Sequence, residues 1–133
     1  MVEPAFGVSE NEAQEREALL VGISRMLETD PDDEQLLFSK AVLLEQQGEL
    51  EAALAIAEQL LGTKNNINVV ILKVNALKAL LRSDEALAFL ADVVDGFEEE
   101  NRRLRLIYAR FLFEAGDLDV AKVQYGIILE QAP

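Results

Sequence analysis

A chain with no histidine and no cysteine must do any chemistry with carboxylates, amines, guanidinium groups and phenols. Acid–base catalysis needs a titratable group poised near the working pH, and covalent catalysis needs a nucleophile beside a base. Imidazole and thiol, the usual suppliers of both, are missing. The clusters Asp32-Asp33-Glu34, Asp84-Glu85 and Glu98-Glu99-Glu100 hold the residue types of an acid–base pair or a hard-cation site. All of them fall where a helix is expected to start, and there the positive end of the helix dipole favours solvated carboxylates. The glycines are scattered and form no phosphate-cradling loop. What remains is a concentration of cations, since seven of the 12 lysines and arginines lie between Lys73 and Arg110. Their chemistry is recognition of acidic groups. The expectation is no enzyme, no cofactor and no metal site.

Composition narrows the partner. The chain has 133 residues, 50% of them apolar and 28% charged, as in folded globular domains. Its net charge of −13 is unevenly spread: residues 1–62 hold 14 acids and 3 bases, whereas residues 63–133 hold 11 acids and 9 bases. A field of that sign repels phosphate backbones and anionic lipid, so no nucleic acid is expected and a protein or peptide partner is favoured. The longest uncharged apolar runs, such as Asn65 to Leu72, fall short of the roughly 20 residues that span a bilayer. No direct membrane insertion is expected. Residues 1–8, Met-Val-Glu-Pro-Ala-Phe-Gly-Val, lack the basic region and long apolar core of a secretory signal, and are expected to be extended or disordered.

The elements that position these residues follow from periodicity. Ser9 and Glu12 have capping-box spacing, and Leu19, Leu20, Ile23 and Leu27 then predict a helix over about 10–28. Asp30-Pro31 stops it and starts the next. A second helix carries Leu36, Leu37, Val42, Leu43 and Leu44 to near Gly48, and a third carries Leu50, Leu54, Ala57, Leu60 and Leu61. Residues Gly62 to Asn66 read as a turn. The branched run from Asn65 to Leu72 looks locally like a strand. Ile67, Val70, Ile71, Val74, Leu77 and Leu81 nevertheless recur at spacings of three and four, which predicts a helix. Ser83-Asp84-Glu85 caps the next helix, with Leu87, Leu90, Val93 and Val94, which frays near Gly96. After Glu100 comes a helix with Leu104, Ile107, Tyr108, Phe111 and Leu112, and Gly116-Asp117 opens a last one ending near Gln131. The segments Gly48–Leu61 and Gly116–Leu129 are alike, and their offset of 68 is twice 34. The predicted fold class is all-α, with about seven antiparallel helices.

With helix starts at Glu34, Ile67 and Arg102, the eighth residue of each unit is Ala41, Val74 and Ala109, and the twentieth is Ala53, Ala86 and Ala121. Pro31 and Pro133 are 102 residues apart, three times 34. In this phasing the chain resembles the tetratricopeptide (TPR) repeat family, helical hairpins that stack into a right-handed α-solenoid. The resemblance covers about 30–133, with units at 34–66, 67–101 and 102–133 preceded by a helix at 9–29, all within one repeat domain over 9–133. Leu37, Val70 and Arg105 stand where the family has tryptophan, Leu81 where it has the turn glycine, and Asn65 and Glu98 where it has proline.

The resemblance implies a concave groove walled by the first helix of each unit. Carried over residue by residue, its second, fifth, ninth and twelfth places are Gln35, Phe38, Val42 and Glu45, then Asn68, Ile71, Asn75 and Lys78, then Arg103, Leu106, Arg110 and Phe113. Of these, Phe38, Val42, Ile71, Asn75, Lys78, Arg103, Leu106, Arg110 and Phe113 are the candidate groove for an acidic or apolar peptide. A plainer reading pairs Arg102 and Arg103 with Glu98 and Glu99 at helical spacing and uses the aromatics to fill packing gaps. The clamp by which some members grip a carboxylate end is not implied, because Phe38 and Val42 occupy the places of its lysine and asparagine.

Tyr125, Ile127, Ile128 and Leu129 give the last helix an apolar face with no polar helix to cover it. Tyr125, Ile128 and Leu129 are therefore candidate end-face contacts, either to further repeats or to a second copy in a homodimer. The style of the third unit resembles large bacterial TPR proteins of the cell envelope, which favours envelope or periplasm slightly over cytoplasm. Two functions are in view. One is a non-catalytic scaffold holding a partner segment in the groove, and the other a structural module whose end faces join chains or repeats.

Overall fold

In the computed structural model residues 10–62 and 66–131 are described, and among them all regular structure is helical. The chain divides into two compact units, Met1–Asn65 and Asn66–Pro133. The first holds α1 (Glu10–Thr29), α2 (Glu34–Gln46) and α3 (Leu50–Leu61), with α2 packed on both α1 and α3. The second holds α4 (Ile67–Ala79), α5 (Ser83–Val93), a 3₁₀ turn at Val94–Gly96, α6 (Asn101–Glu114) and α7 (Leu118–Gln131). There α4 packs on α5, α5 on α6, and α6 on α7. Short connections make the successive partners antiparallel hairpins: α2/α3, α4/α5 and α6/α7. Thus the all-α repeat architecture expected from the periodicity is observed, including the helix over the β-like run after Asn66. Residues 1–8, Ser9 of the expected capping box, Thr63–Asn65 of the expected turn, and Pro133 lie outside the described residues.

Burial follows the repeat phase. Ala41, Val74 and Ala109 at the eighth place, and Ala53, Ala86 and Ala121 at the twentieth, are all fully buried. Small side chains at both positions let the two helices of a hairpin approach closely while Leu54, Leu77, Leu90, Leu104 and Leu112 fill the space around them. The local starts differ in detail from their expected form. Asp33, not Asp30, caps α2, its Oδ1 accepting from the Leu36 amide at 2.9 Å. Asn66 Oδ1 accepts from the Asn68 amide at 2.8 Å and starts α4. Ser83 lies inside α5 rather than capping it, and the preceding Arg82 reaches Glu85 Oε2 at 2.6 Å.

The hairpin turns share one backbone device. The amides of Gly48 and Glu49 bond to the carbonyls of Glu45 (3.0 Å) and Leu44 (2.8 Å), closing α2 in a Schellman motif. Gly116 and Asp117 close α6 on Phe113 (3.0 Å) and Leu112 (2.9 Å) in the same way. The middle hairpin repeats it with Leu81 and Arg82 on Lys78 (3.0 Å) and Leu77 (2.8 Å). All of these turns need a left-handed residue: φ is 84° at Gly48, 86° at Gly116 and 62° at Leu81. A Cβ at Gly48 or Gly116 would meet nothing within 4 Å, so the requirement there is dihedral and not spatial. Leu81 meets the same requirement with strain and is 91% exposed, so it gains little burial in return.

Where Arg105 stands in place of an aromatic, the second unit uses a polar hub. Its side chain is 8% exposed. It donates from Nη2 to Asp95 Oδ1 at 2.7 Å, from Nη1 to Gln124 Oε1 at 2.5 Å and from Nε to Asn101 Oδ1 at 3.3 Å. Asn101 in turn donates to the Val94 carbonyl and accepts from Gln131 Nε2 at 2.8 Å. One guanidinium therefore joins the 3₁₀ turn after α5, the start of α6 and the middle of α7, and Asn101 adds the end of α7 through Gln131. A buried charge is tolerated only when it is well bonded, and here each of the three guanidinium nitrogens donates a hydrogen bond.

Three outcomes follow. Leu81→Gly should stabilise the chain by about 0.5–1 kcal/mol, because relief of left-handed strain outweighs the added freedom of the unfolded chain; a thermal melt should rise by a few degrees. Arg105→Ala should cost about 2–3 kcal/mol in urea unfolding, through a cavity and stranded partners. Asp95→Asn, at a side chain 82% exposed, should cost less than about 1 kcal/mol.

Candidate functional site

The second unit carries a cleft of about 240 Å³ lined by Ile71, Val74, Asn75 and Lys78 of α4 and by Ile107, Arg110, Phe111 and Glu114 of α6. Both helices pack on α5, which sets them side by side. On each, side chains three and four apart share a face, so 71, 74, 75 and 78 form one wall and 107, 110, 111 and 114 the other. The walls are apolar at Ile71, Val74, Ile107 and Phe111 and charged at one end.

That charged end is ordered. Lys78 Nζ lies 3.0 Å from Glu114 Oε2, both side chains being half-exposed, and 5.2 Å from the centroid of the Phe111 ring. Carboxylate and ring face together hold the ammonium over the cleft. Lys78 also occupies the last turn of α4, where the helix dipole favours a cation. Arg110 is exposed and makes no ion pair among the described residues. Asn75 is exposed on the opposite wall and offers both a donor and an acceptor.

Of the residues named from sequence, the cleft brings together Ile71, Asn75, Lys78 and Arg110. Arg103, Leu106 and Phe113 lie on the adjoining stripe of α6, exposed and outside the cleft lining, Phe113 by 60%. Phe38 and Val42 belong to the first unit, where they line a separate open depression of about 370 Å³ with Leu19, Ile23, Ser39 and Leu43, between α1 and α2. Glu45 in that unit is partly buried, and desolvation pushes its carboxyl above the usual carboxylate range. The pairing of Arg102 and Arg103 with Glu98 and Glu99 does not occur among the described residues: those glutamates precede α6 in a bend rather than extending the helix. As cleft lining, sequence reasoning missed Val74, Ile107, Phe111 and Glu114. The available signal was the repeat phase, since Glu114 stands at the thirteenth place of its unit, beside the twelfth-place Lys78 of the unit before. Among the end-face candidates, Tyr125 and Ile128 are half-buried and Leu129 is 75% exposed.

Among the described residues no cluster of three or more acidic side chains could hold a metal ion, and no helix is long and apolar enough to cross a membrane. No family model matches the chain. It is 34% identical over 107 residues to a curated protein of Pseudomonas aeruginosa named as a TPR repeat-containing protein, a match covering 79% of this chain and 18% of that relative. The repeat phase, the matching turns and this similarity define the class: the chain belongs to the tetratricopeptide repeat family. It spans less than a fifth of the length of the curated relative it matches.

Proposed function

We propose that the chain is a non-catalytic protein-interaction module and that the cleft between α4 and α6 takes an extended peptide segment carrying apolar and acidic side chains. The observation that carries this reading is the placing of two cations, Lys78 and Arg110, beside Ile71, Ile107 and Phe111 in a chain of net charge −13. An acidic protein that sets cations against an apolar wall has a site for the opposite charge and for a side chain to bury. Asn75 supplies a hydrogen-bonding group for the peptide backbone. Arg103, Leu106 and Phe113 extend the same α6 surface beyond the cleft and serve as secondary contacts.

A second reading rests on α7, which exposes Leu118, Val120, Val123 and Leu129 along with half-buried Tyr125 and Ile128. Such a face suits stacking against further repeats or a second copy. In that case light scattering over a concentration series shows a dimer that Leu129→Glu disperses; a mass equal to one chain at all concentrations removes the homodimer.

For the cleft, a fluorescently labelled hexapeptide of alternating leucine and aspartate, blocked at both ends, should bind more tightly than its leucine–asparagine counterpart. Lys78→Met and Arg110→Met should each weaken it roughly three- to tenfold. Melting temperatures should move by only a degree or two, because both side chains are exposed. Equal affinity for the aspartate and asparagine peptides overturns the reading.

A further inference from the structure

The cleft already contains a carboxylate. Glu114 is the last residue of α6, where the negative end of the helix dipole disfavours an acid, and it stays by reaching Lys78 Nζ at 3.0 Å. Its side chain is 49% exposed, as is that of Lys78, so the pair is solvated and weak enough to exchange. Arg110, one turn earlier on the same helix, lines the same cleft without an ion-pair partner among the described residues. One carboxylate thus stands between two cations that could serve two.

We infer that Glu114 is an internal competitor for the cleft, and that an acidic peptide binds by displacing its carboxylate from Lys78 while Arg110 takes the second oxygen. The inference rests on the peptide-binding reading and specifies what selects the ligand. An incoming carboxylate exchanges one ion pair for another at Lys78 and gains a new one at Arg110, so the net gain is close to a single pair. Neutral peptides leave Glu114 seated and obtain only the apolar contacts with Ile71, Ile107 and Phe111. Glu114 therefore sets a threshold: a single acidic group adds modest affinity, and a segment with neighbouring acidic groups, able to engage Lys78 and Arg110 together, is preferred. The displaced Glu114 side chain turns outward to solvent, which its half-exposure and terminal position on α6 permit.

The test titrates the full chain with the aspartate and asparagine hexapeptides, following amide shifts by NMR. In Glu114→Gln the aspartate peptide should bind about three- to fivefold more tightly than in the wild type, because the competitor and its repulsion of the ligand are both gone. The asparagine peptide should change by less than about twofold. In Glu114→Gln combined with Lys78→Met the gain should vanish, showing that it passes through Lys78. If the aspartate peptide prefers the wild type, or binds both equally while still outbinding the asparagine peptide, Glu114 is not a competitor and the binding reading survives. If neither protein distinguishes the peptides, the binding reading fails and the inference falls with it.

Discussion

Close approach of paired helices at small side chains is the constraint on which the rest depends. Ala41 and Ala53, Val74 and Ala86, and Ala109 and Ala121 are the fully buried small residues of successive hairpins. A turn closed by a Schellman motif fixes how the second helix leaves the first, and only a short side chain at the crossing accepts the resulting distance. Larger residues around the crossing then fill space already defined by the backbone. The repeat is therefore a packing rule first and a sequence pattern second, which is why it survives the loss of the family's tryptophan, turn glycine and prolines in places.

Two of the departures, Leu81 and Arg105, are met by local substitutes, and the substitutes differ in kind. Leu81 adopts the left-handed conformation of the glycines it replaces and keeps both hydrogen bonds of the turn, so the deviation is absorbed as backbone strain. Arg105 replaces an aromatic packing residue with a guanidinium whose donors reach Asp95, Gln124 and Asn101. A ring holds its neighbours through area, without regard to direction; the guanidinium holds them through directed bonds that must all be made at once. The α6/α7 hairpin is thus fixed in rotation as well as in distance. That rotation decides which residues of α6 reach the cleft.

The same distinction explains what could be read from the sequence. Helix starts at Glu34 and Ile67 were legible, and the third falls at Asn101, one residue before the expected Arg102, because the period of a buried face is a local property of the chain. Fully buried alanines at fixed places were legible for the same reason. The lining of the cleft was legible mainly on α4, where Ile71, Asn75 and Lys78 are in it, and on α6 only at Arg110. On α6 the expected Leu106 and Phe113 give way to Ile107 and Glu114, each one residue further on, which is a turn of about 100° around the helix axis. Transfer by place assumes that every first helix presents the same face. With Leu104 and Arg105 both buried, α6 is anchored through partners up to 30 residues away, Arg105 bonding Gln124 and Asn101 bonding Gln131, and no local pattern carries such long-range bonds.

Electrostatics in the cleft are governed by distance. At physiological ionic strength the field of a net charge of −13 is largely screened beyond a Debye length of roughly 8 Å, so an acidic segment feels individual side chains only at close range. Only there do Lys78 and Arg110 outweigh the rest of the chain. In the proposed binding mode such cations would contribute little to the speed of encounter and much to orientation, because they would act once an apolar side chain meets Ile71, Ile107 and Phe111. On that reading contact area would supply the affinity, and the charges would decide which segment and which register are accepted. So read, an acidic chain with a local cationic cleft is a selective binder rather than a sticky one, and the proposed competition by Glu114 at Lys78 would raise that selectivity further.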